Sequence, residues 1–161
     1  MVSEDFMIIF KILLYRKGKN MMKAKDFLKQ LKKLDKMIEN KMIECAQWRS
    51  IATGTTAQMG GERVQSSGSQ QKMADAIDRY VDIENEIDKF IDKLIDKKKD
   101  VIEVIEHLNA TEYDILHKVY VQYFTLDEVA DYYDKTYSWA TTIHGRALKN
   151  VQKILNEREI E

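Results

Sequence analysis

The 161-residue sequence has no proline, one cysteine and six glycines. Without proline the commonest helix breaker is missing, and a turn-rich β-sandwich or barrel is hard to build. Cys45 alone cannot close an internal disulfide, and His107, His117 and His144 have no second thiol with which to form a zinc-finger spacing. That usage fits a reducing compartment, so the expected location is cytoplasmic. Long apolar runs are missing as well. The best one, Phe6 to Tyr15, is broken by Lys11 and is shorter than a membrane span. Glu4 and Asp5 stand where a secretory signal needs positive charge, so neither a signal nor a membrane partner is expected. No Gly-Lys-Ser/Thr phosphate loop, His-Glu-x-x-His, Gly-x-Ser-x-Gly or paired-cysteine motif occurs. An enzyme is therefore not expected, nor a catalytic residue, a cofactor or a metal site. The acidic residues Asp75, Asp78, Asp82, Asp88, Asp92 and Asp96 recur at mixed spacings among lysines, the pattern of a solvated face.

What is present points to helix. Apolar residues make up 44% of the chain and charged residues 33%, too apolar for a disordered chain and too charged for a membrane bundle. The expected fold class is all-α. A net charge of −1 argues against a generally basic nucleic-acid binder, but the charges are unevenly placed. Residues 21–51 carry eight basic and four acidic groups, and residues 71–110 carry seven and eleven.

From Ala24 the apolar positions step by three and four through Phe27, Leu31, Leu34 and Ile38 to Cys45, Trp48 and Ala52. A second series runs from Met73 through Ile77, Tyr80, Ile87, Ile91 and Leu94 to Val101, Ile105 and Leu108. Between them Gly54, Gly60, Gly61 and Gly68 lie among serine, threonine and glutamine, the composition of a flexible connector over 53–70. Helices at about 23–52 and 71–108 are expected to fold back on each other as a long antiparallel hairpin. A register in which paired numbers sum to 125 sets Lys41 opposite Glu84, two seam breaks of opposite charge that would specify the alignment. The same heptads would serve an intermolecular coiled coil, and their extra apolar residues leave surface for a homodimer. Residues 1–20, ahead of Met21 and Met22, read as an upstream arm outside this pattern.

After Leu108 the pattern shortens. Thr111 with Asp114 resembles a capping box, and Ile115, Leu116, Val119, Tyr120 and Tyr123 line one side of a short helix. Thr125 can cap a second, acidic helix with Leu126, Val129, Ala130 and Tyr133 inward. A break at 134–136 leads into a third helix, whose core side is Ala140, Ile143, Ala147, Leu148 and Val151. Short helix, turn and longer helix are the parts of a helix-turn-helix module, expected over 109–161. Between Lys135 and Asn156 there are four basic residues and no acidic one. The side opposite the core carries Ser138, Thr141, Thr142, Gly145 and Lys149, with Tyr137, Trp139 and Arg146 beside them. Hydroxyls can bond base edges, cations can neutralise phosphates, and glycine permits close backbone approach, so these eight residues are the candidate DNA contacts.

The stretch Thr125-Leu-Asp-Glu-Val-Ala-Asp through Ile143-His-Gly-Arg-Ala-Leu148 resembles region 4 of sigma-70-type factors. It is more similar still to phage late-gene transcription regulators of the ArpU and RinA type, sharing Tyr137-Ser138 at the helix start and Ile143-His144 before Arg146-Ala147-Leu148. The resemblance implies a phage or prophage transcriptional regulator in a bacterial host cell, with double-stranded DNA and host RNA polymerase as partners. It also places His144 near the DNA side. It departs from sigma region 4 at Asp134, where the turn glycine is usual, and at Tyr137, Ser138, Trp139, Thr141 and Thr142, where the sigma recognition helix carries arginines, a glutamate and a glutamine. A sigma-like promoter element is therefore not the implied target. Two other readings fit the same pattern: the DNA-recognition small subunit of a phage terminase, and a protein-interaction module that binds polymerase without DNA.

Overall fold

The computed structural model describes residues 22–54 and 67–158, and among them every regular element is helical. The elements are α1 (Ala24–Ala52), α2 (Ser67–Ile105), α3 (Ala110–Leu116), a π-helical turn (His117–Val121), α4 (Leu126–Tyr132) and α5 (Tyr137–Arg158). The all-α class expected from the missing proline and the helical periodicities is the class found. The arm at 1–20 and most of the connector at 53–70 lie outside the described residues. Helix α2 begins at Ser67, inside the expected connector, and ends at Ile105.

Helices α1 and α2 lie side by side in opposite directions. Lys97 Nζ sits 5.2 Å from the centre of the Phe27 ring, and the Cys45 thiol lies 3.8 Å from the Tyr80 carbonyl oxygen. The expected Lys41–Glu84 pair does not form. Lys41 binds Glu86 at 2.9 Å and Glu44 at 3.1 Å, while Glu84 accepts from Arg49. The reason is solvation. Each long side chain leaves the seam for its wet edge and takes the carboxylate it meets there, with the Arg49 guanidinium also stacked over the Tyr80 ring at 5.5 Å.

The open ends of α1 and α2 and the C-terminal helices share one core. Phe27, Leu28 and Leu31 of α1 meet Val101, Val104 and Ile105 of α2, Leu116 and Tyr120 of the next segment, and Ala147 and Val151 of α5. A second cluster of Ile115, Val129, Ala130 and Ala140 joins α3, α4 and α5. The start of α1 is held from across the molecule. Lys23 provides no side-chain cap, and the Ala24 N–H donates instead to Oε1 of Gln152 on α5 at 2.7 Å.

Local chemistry sets the short helices. The cap of α3 is Asn109, whose side chain accepts from the Glu112 N–H at 3.0 Å, and not the expected Thr111. Asn109 has the extended backbone of an N-cap, whereas Thr111 already lies inside the helix. Thr125 caps α4 in a full capping box with Glu128, which lowers the Glu128 carboxyl pKa through bonds from the Thr125 N–H and hydroxyl. At the far end of α4, Asp134 takes φ 52°, its N–H donating to the Asp131 carbonyl and that of Lys135 to Ala130. This is a Schellman closure with aspartate at the left-handed position usually given to glycine.

Candidate nucleic-acid interface

Helix α5 carries all eight candidate DNA contacts. Its inner side is set by Ala140, Ala147 and Val151, all fully buried, and the opposite side by Ser138, Thr142 and Lys149, all exposed. Gly145 completes that outer row at helical spacing. A methyl group added at Gly145 would meet nothing within 4 Å, so no packing among the described residues demands glycine here. A mid-helix glycine costs about 1 kcal/mol relative to alanine. Gly145→Ala is accordingly expected to raise stability by about 0.5–1 kcal/mol, read as a higher midpoint in urea unfolding at unchanged slope.

The remaining candidates divide. Tyr137 is exposed at the start of the helix. Thr141 and Thr142 both donate their hydroxyls to the Ser138 carbonyl, at 2.9 and 2.7 Å, which leaves their oxygens as acceptors. Trp139 packs inward, its ring 5.2 Å from that of Tyr133 and its N–H capped by the Thr136 hydroxyl at 3.2 Å. It belongs to the joint between α4 and α5.

Arg146, whose side chain is 55% exposed, also makes a bond within the fold. Its Nε donates to Glu112 at 2.6 Å, and Asn150 Nδ2 donates to the other oxygen of the same carboxylate at 2.9 Å. The Glu112 side chain is 2% exposed. Burial pushes its carboxyl pKa up, and the bonds from Asn150, Arg146 and Asn109 outweigh that and hold it below the ordinary value. Arg146 thus balances a buried charge on α3. Lys135, Lys149 and Lys153 make no ion pair among the described residues.

His144 is not on the outer side. Its Nε2 shares a 3.1 Å hydrogen bond with the Tyr120 hydroxyl, the two rings stacked with centres 5.7 Å apart. Burial lowers the His144 pKa, with the Lys25 charge adding to it, and burial raises that of Tyr120 to about 12. The ring is a neutral spacer between α5 and the core. His117 is half-buried, stacked on Tyr113.

Lys118, which was not singled out in the sequence, positions this surface together with Asp114 and Tyr133. The π turn brings Lys118 inward, 3.6 Å from Asp114 and 3.7 Å from the centre of the Tyr132 ring, with Phe124 beyond it. Asp114 also accepts from the Tyr133 hydroxyl. Burial and Asp114 together raise the Tyr133 pKa. A cation held between a carboxylate and aromatic faces ties α3 to α4 and so sets the angle at which α5 leaves the turn. The sequence signal was slight, a lysine between His117 and Val119 in the run that follows Ile115 and Leu116.

Around α5 the charge is divided. Asp127, Glu128 and Asp131 on α4, with Asp134 just beyond it, make that side acidic, whereas the row Ser138, Thr142, Gly145 and Lys149 on α5 has no acidic residue. Among the described residues there is no group of three metal-binding side chains and no helix long and apolar enough to cross a membrane. Comparison with protein-family models, with curated proteins and with solved structures finds no match to this chain.

Proposed function

We propose that the chain is a DNA-binding transcriptional regulator that reads duplex DNA with the outer side of α5, as its resemblance to phage late-gene regulators implies. The observation that carries this is Gly145. It lies at the middle of an acid-free row of Ser138, Thr142 and Lys149, it weakens its own helix, and no packing among the described residues makes use of it. A helix whose backbone is bared between hydroxyls and a free cation suits the major groove, where small polar side chains reach base edges and a lysine meets a phosphate.

The test is binding of the full chain to fragments of the genome that encodes it. Wild type is expected to select among fragments, and Lys149→Glu, on an exposed position that should leave folding intact, to weaken binding at least tenfold at low salt. Equal binding by wild type and Lys149→Glu would remove α5 as the reader.

The acidic side of α4 supports a protein partner in addition. Asp127, Asp131 and the exposed Tyr132 form a surface that repels phosphate and attracts a basic one, in keeping with the contact to host RNA polymerase that the resemblance implies. Exposed Met42, Ile77, Ile91 and Ile95 on the two long helices support the homodimer, which sedimentation of the full chain at micromolar concentration tests.

A further inference from the structure

Among the described residues, a denser row of cations than that of α5 lies on α1. Lys25, Lys29, Lys32, Lys33 and Lys36 are all exposed on the first turns of α1, and steps of four, three, one and three place them on one stripe. Asp26 and Asp35 are the only acidic residues among them, and Asp35 is engaged by the Tyr123 hydroxyl. Lys36 pairs with Glu39, and Lys32 lies over the Tyr123 ring. Lys25, Lys29 and Lys33 make no ion pair among the described residues.

This row is fixed beside α5. Gln152 accepts from the Ala24 N–H and donates to the Met22 carbonyl, and the Lys25 charge is felt at His144. The opposite side of α1, through Leu28 and Leu31, enters the same core as Ala147 and Val151 of α5. Each helix buries one side in that core, and the Gln152 bonds hold the start of the lysine row beside α5. Packed helices stand about 8–10 Å apart, and the major groove is about 12 Å wide. A helix packed beside α5 at that distance is within reach of the phosphate strand that borders the groove. From Lys25 to Lys36 the row is about 16 Å long at 1.5 Å per residue, long enough to meet more than one phosphate of a strand.

We propose that this row on α1 is a second nucleic-acid site, a rail for the phosphodiester backbone of the duplex whose groove α5 reads. It supplies the sequence-independent part of the binding, which α5 with its few free cations does not. The inference rests on the proposed DNA function, and one experiment separates the two. Full-length chain is titrated into a labelled mixed-sequence duplex of 30 base pairs across a series of salt concentrations, as wild type, as Lys25→Gln/Lys29→Gln/Lys33→Gln and as Lys149→Glu. Removing three phosphate contacts is expected to flatten the slope of log affinity against log salt by about 2.7 and to cost roughly tenfold to a hundredfold in affinity at physiological salt. The melting temperature should not move, because the three side chains are solvated. A triple variant with wild-type slope and affinity, beside an impaired Lys149→Glu, overturns the rail and leaves α5 as the reader. Absence of salt-dependent binding by wild type overturns both, and leaves the lysine row as a surface for an acidic protein.

Discussion

Arg146→Glu should destabilise the fold by about 3 kcal/mol or more, because removing one partner of a buried pair leaves the other charge without compensation. Glu112 is the buried partner, and the new glutamate would set a second carboxylate against it where the guanidinium had been. Arg146→Gln keeps a donor and avoids the repulsion, so it should cost less. Urea unfolding of the two variants checks the order. The pair also gives a pH signature. The folded Glu112 pKa lies below its ordinary value of 4.5, so its contribution is fully present above that pH and is lost as the pH falls through the folded value. Wild type should therefore lose stability more steeply below pH 4.5 than Glu112→Gln, which has no proton to gain at this position. Equal stability of Arg146→Glu and wild type would show that the carboxylate is held by Asn150 and Asn109 alone. For DNA-binding work the consequence is practical: Arg146 variants report on folding, and Lys149 is the residue with which to interrogate contact.

Leu28→Ala is expected to cost about 2–5 kcal/mol, the range for emptying a fully buried leucine site. Leu28 is 0% exposed and stands in the core that joins α1 and α2 to the C-terminal helices. For a chain of this size the midpoint of thermal unfolding should fall on the order of 10 °C. Ile43→Ala makes the comparison, since Ile43 is 54% exposed on the same helix and should change stability by about 0.5 kcal/mol or less. If the C-terminal helices stood apart from α1 and α2, Leu28→Ala would leave α5 and its binding untouched. With a shared core, both should fail together as the temperature rises, in a single transition seen equally by circular dichroism and by Trp139 fluorescence.

The helices were legible because each buries one side, and burial writes a period of three to four into the sequence. Thr125 was legible as a start because an N-cap is local chemistry, and the structure adds Glu128 to it as the second half of a capping box. The start of α3 was less so, since Asn109 and Thr111 are both competent caps and the choice falls to the backbone at the exit from α2. The roles of Arg146 and Lys41 depend on groups that only the fold brings near. Glu112 is 34 residues from Arg146, and nothing in its spacing marks it as buried. Heptad positions set Lys41 opposite Glu84, but flexible charged side chains choose their partners at the solvent edge and not across the seam. His144 sits in a sequence run that a DNA-reading helix shares, yet α5 turns it toward Tyr120. Lys118 is inward because a π turn adds a residue to the helical count, a shift that periodicity cannot anticipate.

Gln152 on α5 supplies the first hydrogen bond of α1, and α1 in turn supplies the leucines on which α5 rests. That reciprocity bears on transplantation. A segment from residue 109 onward, grafted onto another protein, would carry Ser138, Thr142, Gly145 and Lys149 but would leave Leu116, Tyr120 and Val151 without the side chains that cover them. The proposed reading surface should therefore be altered in place, by exchanging residues along the outward row of α5, because the C-terminal end of this chain is a wall of the building and not a detachable head.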